Sequence, residues 1–303
     1  MSPVLKSHLA LLIVNLMYGA NYVIAKGLMP TIIGPNGFIW LRVAGATAIF
    51  WLIFNKYLKK IERRDWFRLI VAALFGVTIN QLFFFNGLSR TSPVNAAVIM
   101  TTTPIIVLIL SFIILKDRLR IWQIIGVIIG GIGAILFTLN GQNSEFATSE
   151  GDLFIFINAF SYSIYLILVK PLMARYNAIT VITIVFSIGL FFVSLWPFSI
   201  MEFTQINSSE LGIENLLRII FVVVCVTVLP YALNVYAMKT LSPAVTSVYI
   251  YLQPILAAGF VYLFYLIGKE DYTADFNWLK TLFTLLIFLG VYLVIKPYKK
   301  KVV

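Results

Sequence analysis

Charge is scarce in this chain. Asp, Glu, Lys and Arg make up only 12% of its 303 residues. A soluble domain carries about 25%, because it must cover its surface in water. The low share excludes an ordinary water-facing fold. Acidic residues are fewest, twelve against 23 Lys and Arg. All twelve fall in loops or at the edges of apolar blocks, so none is placed to accept a proton at membrane depth. The resulting +11 net charge does not indicate nucleic acid, because the basic residues sit in short segments between apolar blocks. The one cysteine, Cys225, excludes an intrachain disulfide. The one histidine, His8, stands at the edge of the first block. With no histidine pair, no buried aspartate pair and no His/Cys/carboxylate cluster, neither a catalytic centre, a metal nor a cofactor is expected.

What the chain has in quantity is apolar sequence. It is 61% hydrophobic, with a mean hydropathy of +0.96, arranged in blocks of about 18 residues or more. That is the length that spans a hydrocarbon core. The blocks are continuously apolar rather than alternating, which excludes barrel strands. Ten spans are predicted, at 8–26, 37–55, 67–87, 93–115, 121–139, 152–170, 178–200, 216–237, 243–267 and 279–296. The first reads as a retained helix rather than a cleaved leader, since no small-residue cleavage site follows it. With the N-terminus inside, seventeen Lys and Arg fall in inside segments, five fall outside, and Arg42 lies within span 2. That bias predicts both termini cytoplasmic, in an all-α integral protein of the cell membrane.

The chain also repeats itself. Ser92-Pro93 opens span 4 and Pro104 follows eleven residues after Pro93; Ser242-Pro243 opens span 9 and Pro254 follows eleven residues after Pro243. Lys26-Gly-Leu-Met closes span 1 and Lys170-Pro-Leu-Met closes span 6, with Tyr18 and Tyr162 in the same register. Two five-helix halves are therefore expected, 1–140 and 151–303, joined by a polar connection at 141–150. An odd number of helices per half inverts the second half in the membrane. That is a common plan for carriers, with the binding site between the halves.

Polar residues inside spans mark the candidate pathway, because each is costly in lipid. They are Asn15, Tyr18, Asn21 and Tyr22 in span 1, Asn80 and Gln81 in span 3, and Thr101 and Thr103 in span 4. Span 6 adds Asn158, Tyr162 and Tyr165; span 8 adds Tyr231 and Asn234; span 9 adds Tyr249 and Gln253. Together they could line a wet cavity for a small zwitterionic or aromatic solute. Singly, Asn, Gln and Thr also join helices and Tyr also sits in interfacial belts. Pro104 and Pro254 are expected as mid-helix kinks, either gating or static. Arg42 could snorkel outward, serve structure or gating, or attract a carboxylate or phosphate. Gly126 and Gly130 in span 5 form a small-residue seam suited to packing within the chain or to joining two copies.

Several of these stretches resemble the EamA-type exporters of the drug/metabolite transporter superfamily. The likeness is carried by Tyr18-Gly19-Ala20-Asn21, Leu41-Arg42, the run from Gly87 to Ala97, Thr103-Pro104, Leu115 to Leu119, and the glycines from Gly126 to Gly133. Ser242-Pro243, Gln253-Pro254 and Gly268 to Glu270 echo it in the second half. Tyr18 stands where the family has Trp, Asp117 where Glu is commoner, and Gly290 is nearly alone in span 10. The resemblance implies export of amino acids or other metabolites through a central cavity lined by both repeats. The absence of a buried carboxylate argues against carboxylate-based proton coupling. Two alternatives remain: a carrier of nucleotide sugars or phosphorylated metabolites, which would want several cavity cations, and a receptor or assembly subunit, which would need no polar stripe across both halves.

Overall fold

The computed structural model describes residues 2–116, 120–141, 148–207, 209, 211–269, 271–273 and 278–295. Asp117 to Leu119, Glu145 and most of the 141–150 connection, Glu210, Glu270, Asp275 and the Lys296–Lys301 cluster lie outside the described residues. The described residues are helical, with no strand among them. The long helical segments are α1 (Pro3–Leu28), α2 (Pro35–Tyr57), α3 (Arg63–Arg90), α4 (Pro93–Ile114), α5 (Ile121–Gly141), α6 (Ser149–Met173), α7 (Ala178–Leu195), α8 (Ile213–Ala237), α9 (Pro243–Leu266) and α10 (Trp278–Ile295). Eight of them are long and apolar enough to cross a membrane; within α5 and α10 the apolar stretches Ile121–Gly133 and Thr281–Gly290 are shorter. Their outward faces carry large apolar side chains, such as Leu52 at 81% exposure and Phe67 at 78%. Such a surface suits hydrocarbon rather than water.

Local chemistry sets the helix starts. Ser92 accepts from the Asn95 amide and Ser242 from the Val245 amide, each with a proline at the first position. The hydroxyl satisfies an amide that has no partner within the helix, and the proline lacks one that would go unused. Ser2, Thr148 and Asn177 cap α1, α6 and α7 in the same way. The start of α2 has no side-chain cap of its own. Glu202 supplies one from far along the chain, accepting from the Asn36 amide (2.7 Å), the Gly37 amide (3.1 Å) and Asn36 Nδ2 (2.6 Å).

Three interruptions depart from the sequence reading. Span 7 stops at Leu195 rather than running to 200. Trp196, held extended before Pro197, breaks it, and a short helix, Pro197–Thr204, follows. Pro104 and Pro254 are not kinks inside continuous helices. In α4 the chain turns tightly at Thr101–Thr102, whose hydroxyls donate to Val98 O and Ile99 O, and a new helical segment begins at Thr103. In α9 a 3-10 turn, Tyr249–Leu252, precedes a segment beginning at Gln253. Each proline thus occupies a first turn, where no amide hydrogen is needed. Third, α3 and α8 each contain a π-helical stretch, Leu74–Ile79 and Val224–Val228. Pro230 follows the second and cannot donate back to it. In both, a threonine hydroxyl faces the carbonyl five residues earlier: Thr227 to Val222 at 2.8 Å and Thr78 to Ala73 at 3.5 Å.

Helices α5 and α10 pack face to face through glycine. A Cβ on Gly290 would lie 2.5 Å from Gly130 N and 2.6 Å from Gly126 O. The Gly126/Gly130 seam therefore serves packing within the chain, and the isolated Gly290 of span 10 is its partner. At the α6–α7 junction, Asp65 accepts from Arg175 (2.6 Å) and Tyr176 (2.8 Å), pinning that turn to the start of α3. The hydrogen bond from Arg175 to Asp65 raises the Arg175 pKa above its ordinary value.

Candidate functional site

A cavity lies between the two halves. Its walls are Tyr18, Asn21 and Tyr22 of α1, Arg42 of α2, Asn80, Gln81 and Phe84 of α3, and Met100 of α4. The second half supplies Asn158 and Tyr162 of α6, Val226 and Tyr231 of α8, and Ile250 and Gln253 of α9. The cavity measures about 60 Å³, room for on the order of four to six waters at 10–15 Å³ each.

The polar walls are tied together across helices. Tyr231 Oη donates to Gly76 O (2.8 Å), inside the π stretch of α3, and accepts from Gln81 Nε2 (2.8 Å). Asn158 Nδ2 donates to Asn80 O (2.7 Å), joining α6 to α3. Tyr22 Oη donates to Gln253 Oε1 (2.6 Å), and Gln253 Nε2 donates to Asn15 Oδ1 (2.8 Å), joining α1 to α9. The first helical turns after the π and 3-10 stretches thus present side chains to the cavity. π-helical turns are frequent at functional sites.

Arg42 is 3% exposed, so it does not snorkel. Its Nε and Nη2 donate to Thr227 Oγ1 (3.0 and 2.7 Å) and its Nη1 to Gln81 Oε1 (3.0 Å). Its guanidinium stands 4.3 Å from the centre of the Phe85 ring, a cation–π contact of about 2 kcal/mol when desolvated. Every partner is neutral. Among the described residues no carboxylate pairs with it, and none lines the cavity. The buried carboxylates Asp65 and Asp152 sit in the first turns of α3 and α6, where Asp152 accepts from Thr91 Oγ1 (2.6 Å).

Of the side chains singled out in the sequence, Tyr18, Asn21, Tyr22, Arg42, Asn80, Gln81, Asn158, Tyr162, Tyr231 and Gln253 meet at this cavity. The others stand behind or beside it. Asn15 holds Gln253. Thr101 turns back onto its own helix, and the Thr103 hydroxyl is buried without a partner among the described residues. Tyr165 stacks on Tyr162 at 5.9 Å and packs over Gly76. Asn234 lies 3.5 Å from Tyr18 Oη. Tyr249 bonds His8 Nδ1 at 2.6 Å, and Ser7 bonds Thr240 at 2.7 Å, so α1 closes onto the α8–α9 junction about 15 Å along the helix from Tyr18. Pro104 and Pro254 shape their helices without lining the cavity. Phe84, Met100, Val226 and Ile250 line it and gave no signal in the sequence, because an apolar residue in an apolar span looks like any other. Among the described residues no group of three His, Cys, Asp or Glu side chains could hold a metal ion.

A second cavity, about 640 Å³, involves Asn36, Asn86, Arg90, Glu202 and the rings of Phe83, Phe154, Trp196 and Phe198. It takes Ile79, Leu82, Phe83 and Asn86 from α3, whereas the central cavity takes Asn80, Gln81 and Phe84. At 3.6 residues per turn these sets lie on opposite faces, so α3 forms a wall between the two spaces.

Comparison with known proteins agrees with this arrangement. The model of the EamA-like transporter family matches twice, over residues 5–139 and 149–296. An "Uncharacterized transporter" of Archaeoglobus fulgidus is 24% identical over 88% of this chain and 90% of its own. The "Uncharacterized transporter YyaM" of Bacillus subtilis is 28% identical over 83% of this chain and 84% of its own. A solved crystal structure superposes over 95% of both chains with a TM-score of 0.64 at 15% identity, which supports the fold. The apolar helices and the double match identify a multi-pass membrane protein, and the chain belongs to the EamA-like transporter family.

Proposed function

We propose that this protein exports small metabolites, amino acids or close relatives, across the cell membrane by alternating access through the central cavity. The carrying observation is the composition of the cavity wall, which draws neutral amides, tyrosines and one arginine from both halves. A receptor or assembly subunit needs no such convergence. A carrier of nucleotide sugars would want several cations, and Arg42 is the one lysine or arginine in this wall.

In this reading α5 and α10 also cross the membrane, giving ten spans in two inverted halves, 1–140 and 151–303, with both termini cytoplasmic. At about 60 Å³ the cavity is small and must enlarge to admit a solute. Opening its cytoplasmic end requires parting the Ser7–Thr240 and His8–Tyr249 bonds. The absence of carboxylates from the described cavity wall supports facilitated diffusion or exchange over carboxylate-based proton coupling. Reconstitution into liposomes with a panel of amino acids and related metabolites tests this. Saturable counterflow that Tyr18→Ala and Tyr162→Ala abolish, while both variants still fold, is expected. Uptake that requires a proton gradient and a buried carboxylate would refute the coupling mode.

A further inference from the structure

The walls of the second, larger cavity are ordered along the membrane. Its α3 residues are Ile79, Leu82, Phe83, Asn86 and Arg90. That spacing places them on one helix face. Ile79 to Arg90 covers about 16 Å at 1.5 Å per residue, roughly half of a 30 Å hydrocarbon core and so the depth of one leaflet. Along this face the chemistry changes once: three apolar residues towards the middle of α3, then an amide and a guanidinium at its end. Phe83 meets Phe154 of α6 edge-on, 5.2 Å between ring centres. Trp196 and Phe198, 5.7 Å apart, flank the cavity where α7 ends and are 44% and 47% exposed; tryptophan favours the membrane–water boundary. The polar end is a connected chain. Glu202 Oε1 accepts from Asn36 Nδ2 (2.6 Å), Asn36 Oδ1 from Asn86 Nδ2 (2.9 Å), and Asn86 Oδ1 from Arg90 Nη1 (3.3 Å). The Glu202 charge is already met by the first amides of α2. Arg90 is less fully engaged. Its Nη1 bonds Asn86, and its Nε faces Glu150 at 3.8 Å, too long for a hydrogen bond, with side chains 39% and 61% exposed; such exposed pairs hold weakly. Its Nη2 has no partner among the described residues. Its guanidinium lies 5.6 Å from the centre of the Phe154 ring.

We infer that this cavity is a binding site for one phosphoglyceride from the leaflet at the Arg90 end of α3, with the lipid phosphate on Arg90 and an acyl chain along Phe83, Leu82 and Ile79. The polar-to-apolar order of the walls matches a lipid lying along the membrane normal, headgroup at the boundary and chain towards the midplane. A guanidinium with spare N–H groups suits phosphate, whose oxygens accept charge-assisted bonds from the planar fork. A soluble phosphate compound would leave the apolar depth unfilled, and a lipid without phosphate would leave the guanidinium unmet. At about 640 Å³ the space falls within the roughly 300–1,000 Å³ of small-molecule sites. Because α3 stands between this cavity and the central one, the lipid site is separate from the transport path and does not depend on which solute is carried.

The test is native mass spectrometry of the full-length protein in detergent, titrated with three probes: dioleoylphosphatidylethanolamine, dioleoylglycerol without the phosphate, and O-phosphoethanolamine without the chains. One phosphatidylethanolamine is expected to stay bound, dioleoylglycerol to bind about 10-fold more weakly, and O-phosphoethanolamine not to be retained. Arg90→Gln should weaken the phospholipid about 10-fold, as loss of a charge-assisted contact does. Leu82→Trp, which fills the apolar depth, should abolish its retention. Arg64→Gln, at an exposed cation paired with Glu62 outside the cavity, should bind as wild type does. Should Arg90→Gln fail to fold, the contrast among the three probes on the wild-type protein still decides. Equal binding of phosphatidylethanolamine and dioleoylglycerol overturns the inference, as does retention that neither Arg90→Gln nor Leu82→Trp changes. O-phosphoethanolamine held as tightly as the lipid overturns it in favour of a soluble phosphate compound. Each of these outcomes leaves the transport reading standing, since counterflow tests that separately.

Discussion

Lys26 and Lys170 make the same bonds in the two halves. The Lys26 ammonium donates to Leu88 O (3.0 Å), Ser89 O (3.4 Å) and Thr91 O (2.6 Å); that of Lys170 donates to Met238 O (2.6 Å) and Leu241 O (2.8 Å). Each lysine closes the first helix of its half and ties it to the turn between the third and fourth. A cation at a helix C-terminus satisfies carbonyls that have no partner within the helix and complements its dipole. The pairing turns a four-residue sequence echo into a shared structural device.

Replacing either lysine should loosen its own half. Lys26→Met and Lys170→Met each remove charge-assisted bonds worth about 1.5–3 kcal/mol. Each variant is expected to melt below wild type in detergent by a similar margin. A variant that melts with the wild type would show that the bond adds nothing to stability.

Gly290 should resist any side chain. Even a methyl there meets backbone atoms of Gly130 and Gly126, which cannot swing aside. Gly290→Ala is expected to cost about 1–3 kcal/mol, as overpacking does. Gly259 on α9 has nothing within 4 Å of its would-be Cβ, so Gly259→Ala should melt at or slightly above wild type. The two melting curves check the contrast.

Glu202 holds the start of α2 from the short helix after α7. Glu202→Ala strips acceptors from three donors, two of them helix-end amides. A loss of about 1–3 kcal/mol is expected, with Glu202→Gln milder because one oxygen still accepts. Thermal unfolding of both variants distinguishes this from a surface role, for which neither would change.

The proposed topology is open to labelling. In a Cys225→Ser background, Gln205→Cys should react with an impermeant thiol reagent in intact cells. Lys60→Cys should react only after permeabilisation. Both positions are exposed. The reverse pattern would invert the assigned orientation.

Helix placement was legible because length and apolarity alone decide it, and because Ser92-Pro93 and Ser242-Pro243 are capping chemistry written in the sequence. Span edges were less so: hydropathy marks the apolar stretch, whereas Ser2 starts α1 several residues before it and Trp196-Pro197 stops α7 before its apolar run ends. The π stretches left little trace, since Gly76 and Thr78 look ordinary until Tyr231 is seen bonding Gly76 O. The cavity was legible in its polar members, which stand out against lipid. Met100, Val226 and Ile250 do not, and nothing in composition separates Asn15, which braces Gln253, from Asn21, which is part of the cavity wall.

The claim that the central cavity is a transport path is most directly tested by plugging it. Met100 lies in the cavity wall, and the cavity measures about 60 Å³, so Met100→Trp should fill it. Across a panel of amino acids and related metabolites, proteoliposomes with wild-type protein are predicted to show saturable counterflow of at least one, and those with a folded Met100→Trp variant none above protein-free vesicles. Equal flux through the plugged and wild-type proteins would contradict the account.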